Sequence, residues 1–319
     1  MRIGLSGGGA TVDRAIDQAR EAEQEGFTSL WYPGSMFGDP LVAMALAGRA
    51  TSSIELGVAV LQTFGCHPLV QATRVASVTA AIGRGVTVAL GPSHDMAVER
   101  LGYSYAHAGR HTEEYVRILA PLLRGEDVDF EGEDLSLHAG GIATAGPVSV
   151  LVAALGPRLL RVAGEVADGT VLWMTNARAI EAHVRPRIEG AAERAGRRPP
   201  RIVAGLPVAV HDDVDEARAA AAVQFEVYGR LPNYQRTLAR GGLTAPADAV
   251  LVGDEDSVTR QIQALFAAGA TDVWAPPFPV GRDRAGSRAR TRALLRELAA
   301  GGVSAADPAG GAGGAEPEP

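Results

Sequence analysis

The chain has 319 residues, a formal net charge of −7, 46% hydrophobic residues and only 5% aromatics. That length and apolar content suffice for one large buried core, and the acidic balance argues against nucleic acid or an anionic membrane as the main partner. All 30 residues in the Lys+Arg count are Arg. Without lysine the chain can form neither a Schiff base, nor a Walker A phosphate site, nor a kinase-type lysine contact.

No apolar run approaches the ~20 residues that span a bilayer. The opening MRIGLSGGGATVDRA carries no apolar leader core, so a cytoplasmic protein is expected. Cys66 is the single cysteine, which excludes an internal disulfide and a multi-cysteine metal site.

In chain order, residues 2–5 predict a first strand. Val12, Ala15, Ile16, Ala19 and Ala22 then recur at helical spacing, with Thr11 as cap and Gly26 as stop. Strands follow at 27–32, 54–61 and 86–90, with helices at 40–50 and 68–81. Residues 110–124 form an amphipathic helix, and 127–138 an exposed hairpin or loop insertion. Strands at 148–155, 170–174, 201–210 and 271–275 alternate with helices at 157–166, 177–195, 213–228, 256–268 and 288–299. Residues 230–246 read as a second insertion, irregular or partly helical.

Apolar strands alternating with helices predict a parallel sheet covered on both faces. Eight such units over about 300 residues fit a closed (β/α)₈ TIM barrel with loop insertions at the C-terminal face, occupying residues 1–300. The Gly-, Ala- and Pro-rich segment 301–319 is expected to be a mobile tail.

Four strand exits carry candidate chemistry, because barrel active sites lie at the C-terminal ends of the strands. Ser6-Gly7-Gly8-Gly9 lacks the third glycine of a dinucleotide loop, since Val12 stands there, and reads as a flexible loop lining the mouth. The third strand runs past its apolar core into Gln62, Thr63, Gly65 and His67-Pro68, delivering polar groups to the rim. At the fourth, Ser93 and His94 face the same mouth. His94 can serve as a proton donor or bind a cofactor oxygen, or Ser93 can be a plain helix cap with His94 beside it in solvent. At the fifth, Gly156-Pro157-Arg158 opens a helix, where free N–H groups and an arginine suit an anion; the alternative is an ordinary strand–helix turn with a surface arginine. His107 and His111 share helical spacing, but no third ligand accompanies them, so no metal is expected.

Taken in order, several stretches resemble the luciferase-like flavin oxidoreductases, and within them the branch that uses coenzyme F420. They are GFTSLWYPGSMFGDPLVAMALAGRATSSIELGVAVLQTFGCHPLV, VTVALGPSH, RHTEEYVRILAPLLRGEDVDFEG, VLVAALGPRLLRVAGEVADGTVLWMT and RIVAGLPVAVHDDVDEAR. The resemblance implies a deazaflavin ring across the strand ends. It also implies a bulge in the third strand with a non-proline cis peptide, which falls at Ala59–Val60 when aligned on His67-Pro68. Val60, Leu61 and Gln62 would back and touch the ring, with Ser6 and Ser93 on the loops around it. The cofactor phosphate would lie near Gly156, Pro157 and Arg158, and Trp173 and Met174 would border the pocket. His94 would be the catalytic proton donor or acceptor. FMN is the alternative cofactor, in a two-component monooxygenase; a barrel that binds flavin or deazaflavin without turnover is the third reading. A small-molecule substrate and a possible homodimer are also implied. Two positions depart from the family pattern. Cys66 stands where arginine is common before His-Pro, and Pro33-Gly34-Ser35 replaces an Asp-His-like pair, which puts alcohol oxidation of that type in doubt.

Overall fold

The computed structural model describes residues 1–8, 11–34 and 38–301. Gly9, Ser35 and the expected tail beyond Gly301 lie outside the described residues. The first half comprises β1 (Ile3–Ser6), α1 (Val12–Gln24), β2 (Ser29–Pro33), α2 (Pro40–Ala50), β3 (Glu55–Gln62), α3 (Pro68–Ile82) and β4 (Val86–Gly91). The first insertion holds α4 (Asp95–Arg100), α5 (Ala108–Leu123) and the hairpin β5 (Val128–Glu131) and β6 (Ser136–Ala139). Then come β7 (Val148–Ala153), α6 (Pro157–Glu165), β8 (Gly169–Trp173), α7 (Ala177–Ala179), a π-turn (Ile180–Val184) and α8 (Arg185–Arg194). Beyond these are β9 (Arg201–Gly205), β10 (Val208–Val210), α9 (Val214–Gln224), α10 (Glu226–Gly229) and α11 (Pro232–Arg240). The chain continues through β11 (Leu251–Gly253), α12 (Glu255–Ala267), β12 (Asp272–Trp274) and α13 (Arg284–Gly301).

Eight parallel strands close in the order β1-β12-β9-β8-β7-β4-β3-β2, so the fold is a TIM barrel. Alternating strand positions divide its core in two. Residues such as Ile3, Leu5, Leu30, Leu56, Val58 and Val88 pack outward against the helices. Trp31, Ala89, Leu151, Val171, Val203 and Trp274 fill the interior. The indole of Trp31 fits there because its neighbour is Gly57, where an added Cβ would stand 2.5 Å from the ring.

The expected strand 201–210 is two strands. Pro207 has no N–H to continue the ladder, so the chain leaves the barrel there. Its carbonyl instead accepts from Leu251 N at 2.9 Å, and β10 pairs in parallel with β11, a strand too short to stand out in the sequence. The expected helix 177–195 contains a π-turn just before Pro186, whose ring and missing N–H disturb the preceding turn of an α-helix. Helix 213–228 breaks at Phe225 into α9 and α10, and the second insertion is partly helical, as α11.

The N-terminal end of the barrel is closed by charge. Arg201 reaches Glu55 at 2.8 Å and Asp272 at 2.8 Å; Arg2 meets the same two carboxylates at 2.5 and 2.7 Å. The hydroxyls of Thr87 and Thr271 donate to Glu55 and Asp272. Burial opposes ionisation of Asp272, but the two guanidiniums outweigh it and hold its carboxyl below the usual range.

Candidate active site

At the opposite end the strand termini surround a cavity of about 770 Å³, within the size range of small-molecule sites. β3 supplies its floor. The register between β3 and β4 shifts between Ala59 and Leu61, and the Ala59–Val60 peptide is cis. Both Ala59 and Val60 line the cavity. Gly34 follows β2 and lies against the protruding residue: an added Cβ would stand 1.9 Å from the Val60 carbonyl oxygen. Only glycine permits that approach.

The sequence-predicted residues divide. Ser6, Ala59, Val60, Gln62, Ser93, His94, Gly156, Pro157, Arg158 and Trp173 all line this one cavity. Leu61 and Met174 do not. The bulge sends Leu61 outward into the core between strands and helices, where it is 5% exposed. Met174, at φ 55°, turns into the separate core beneath α9 and α11. Ser6 accepts from the indole of Trp274 at 2.8 Å, so part of its bonding capacity is used within the protein.

Arg158 also departs from the simple anion clamp. Its guanidinium donates to Glu113 at 2.9 Å, and Glu113 is shared with Arg161 and Arg117 at 2.7 and 3.1 Å. These arginines hold the Glu113 carboxyl below its usual range against the effect of burial. Helix α6 begins at Gly156 with no side-chain cap, so its first-turn N–H groups stay open toward the cavity. Arg236 of α11 also lines the cavity and pairs with no carboxylate among the described residues.

The model of the family described as luciferase-like monooxygenase matches residues 2–272. The chain belongs to that family. One similar protein is the 5,10-methylenetetrahydromethanopterin reductase of Methanolobus tindarius, 28% identical over 66% of this chain and 64% of that one. Another is the F420-dependent hydroxymycolic acid dehydrogenase of Mycobacterium tuberculosis, 29% identical over 81% of this chain and 78% of that one. Among solved structures, the coenzyme F420 dependent tetrahydromethanopterin reductase of Methanopyrus kandleri superposes with a TM-score of 0.74 at 20% identity, covering 93% of this chain and 97% of that one.

Within this luciferase-like barrel, His94 caps α4 without a side-chain hydrogen bond, and its half-buried ring lies 6.1 Å from the Tyr234 ring. Burial lowers its pKa, and nearby Asp95 offsets only part of that, so at neutral pH it is an uncharged imidazole. Ser93, at φ 65°, gives its carbonyl to the Tyr105 hydroxyl at 3.0 Å. The residues that sequence reasoning missed come mostly from α10 and α11: Tyr228, Asn233, Tyr234 and Arg236. Two tyrosines six positions apart, in a chain with only 6 in all, were the available signal.

His107 and His111 sit at a second cavity of about 570 Å³, behind the 103–111 segment. His111 stacks on Phe64 at 4.1 Å and bonds the Thr63 carbonyl at 2.9 Å. No cluster of three or more metal-ligating side chains occurs among the described residues.

Proposed function

We propose that this protein is an F420-dependent oxidoreductase acting on a small organic substrate. The observation that carries the reading is the continuous lining from the Val60 bulge, past Gln62 and Gly91, to the open start of α6. A flat three-ring system can lie on Val60, and a phosphate can reach the helix N–H groups. When bound, the deazaflavin supplies hydride transfer at ring carbon C5. The chain's own residues do the rest. Val60 supports the ring from below, and the Gln62 amide can bond its polar edge. Gly156 and the first turn of α6 hold the phosphate. Arg236 supplies a free positive charge for an anionic chain, while Arg158, shared with Glu113, contributes less. His94, neutral at pH 7, can accept a proton or donate a hydrogen bond but offers no positive charge.

Titrating the purified chain with F420 and with FMN, following ring fluorescence, tests this. F420 is expected to bind more tightly, and the reduced complex to consume no oxygen. Tighter FMN binding with rapid oxygen uptake on reduction would transfer the protein to the monooxygenase side of its family. Tight F420 binding with no hydride exchange against any carbonyl, alcohol or imine tested would leave a carrier or sensor.

A further inference from the structure

One wall of the cavity is built from aromatic rings. Tyr228 and Tyr234 are 4.8 Å apart between centroids; Trp173 stands 6.1 Å from Tyr228 and 5.0 Å from Trp274. Their planes are inclined by 39–60°, so the wall offers ring faces and edges against which an aromatic or conjugated ligand can pack. Their polar atoms can all donate a hydrogen bond. The indole N–H of Trp173 is buried, makes no well-formed hydrogen bond, and lies close enough to the Tyr228 hydroxyl to act on it. Unlike the Tyr105 hydroxyl, those of Tyr228 and Tyr234 donate to no other described residue. Arg236 adds further unpaired N–H groups. Among the described residues of the lining the only carboxylate is Asp95, which is exposed and already accepts from Met96 N at 2.8 Å. The wall is therefore rich in free donors and carries little negative charge.

An unpaired buried donor costs free energy unless a ligand satisfies it. Donors aimed at one place in a water-poor site favour negative charge developing there. The complement is a planar molecule with an oxygen acceptor that becomes more negative as it reacts. We propose that the substrate is a conjugated carbonyl compound, and that the Tyr228 hydroxyl, backed by the Trp173 indole N–H, receives its oxygen and supplies the proton. This rests on the hydride-transfer reading above. The step balances. Hydride from the reduced deazaflavin forms a C–H bond at an electrophilic carbon of the conjugated system. The π bond passes its electron pair to the oxygen, and the oxygen takes the proton as the Tyr228 O–H bond breaks. Water then reprotonates the tyrosinate. Tyr228 is better placed than Tyr234, which is only 9% exposed, and it adjoins the indole. Burial pushes the Tyr228 phenol up and the indole N–H pulls it partway back, so it stays protonated at neutral pH and remains a donor. His94, uncharged at that pH, is the weaker acid source.

A chromophoric phenol tests the donor set without knowledge of the substrate. The full chain is titrated with 4-nitrophenol across pH, and with 4-nitroanisole, which has the same ring but a methylated oxygen. Absorbance reports whether the bound probe is the phenolate. The expected results are preferential binding of the phenolate and a lowered apparent pKa for the bound phenol. Tyr228→Phe should weaken phenolate binding by about tenfold and leave 4-nitroanisole unchanged. Trp173→Phe should move it in the same direction by less, and Tyr103→Phe, at the second cavity, should do nothing. F420 fluorescence binding, measured on each variant, checks that the site is intact. Equal binding of phenolate and anisole by the unaltered chain overturns the proposal without any variant, as does a phenolate affinity within twofold of the original in Tyr228→Phe. If F420 binds and the phenolate does not, this inference alone fails. If F420 does not bind, the functional reading fails with it.

Discussion

The two ends of the barrel treat polar groups in opposite ways. At the N-terminal end every buried charge has a partner: Arg2 and Arg201 share Glu55 and Asp272, and two threonine hydroxyls fill remaining acceptor sites. At the C-terminal end the Tyr228 and Tyr234 hydroxyls and Arg236 line a cavity and donate to no other described residue, and the buried Trp173 N–H beside Tyr228 makes no well-formed bond. The strands and their packing are common to both ends. The difference is bonding capacity: one end spends it on holding the strands together, and the other keeps it for a ligand. Polar residues at strand ends thus separate into stability and function by whether they are satisfied, not by residue type.

Four experiments would break or sharpen that contrast. The largest effect is expected at Asp272, whose side chain is 3% exposed and receives both arginines. Asp272→Ala leaves buried cations uncompensated and should cost about 3–5 kcal/mol in urea unfolding; a loss under about 1 kcal/mol would mean that water enters that end freely. Next is Gly34→Ala, a rim substitution that should behave like a core one. Its methyl group would meet the Val60 carbonyl, so a cost of about 1–3 kcal/mol is expected, with loss of F420 binding. Unchanged stability and binding would show that the bulge can shift aside.

The third is acid unfolding. The folded pKa of Asp272 lies below its ordinary value of 3.8, chiefly because the arginines overcome the burial penalty. Its contribution to stability is therefore complete above that ordinary value and is lost as pH falls through the folded one. Chemical unfolding at stepped pH should show stability declining below about pH 4, with a shallower decline in Asp272→Asn. Equal slopes would place the titrating group elsewhere. The smallest effect belongs to Arg236→Ala. Removing one exposed, unpaired charge from the rim should weaken F420 binding by about 0.5–1 kcal/mol, a difference that shrinks as salt is added. Fold stability should stay unchanged; a stability loss equal to that of a core mutation would contradict the division between the ends.

Much of the barrel is legible in the chain itself. Apolar runs bounded by Thr11, Gly26, Pro40, Pro68 and Pro157 mark strand–helix units because caps, prolines and side-chain periodicity act over a few neighbouring residues. That locality also brought most of the candidate site residues to one rim, since each lies just beyond a barrel strand. What the tertiary structure decided is direction and partnership. The bulge at Ala59–Val60 turns Val60 inward and Leu61 outward, reversing which of two adjacent apolar residues meets a ligand. Arg158 finds Glu113, 45 residues earlier, only because α5 and α6 pack side by side. Tyr228 and Tyr234 enter the wall because the chain leaves the barrel at Pro207 and returns through α10 and α11. A short segment can encode its own backbone, but which side chains meet across the rim depends on contacts between segments far apart in the chain.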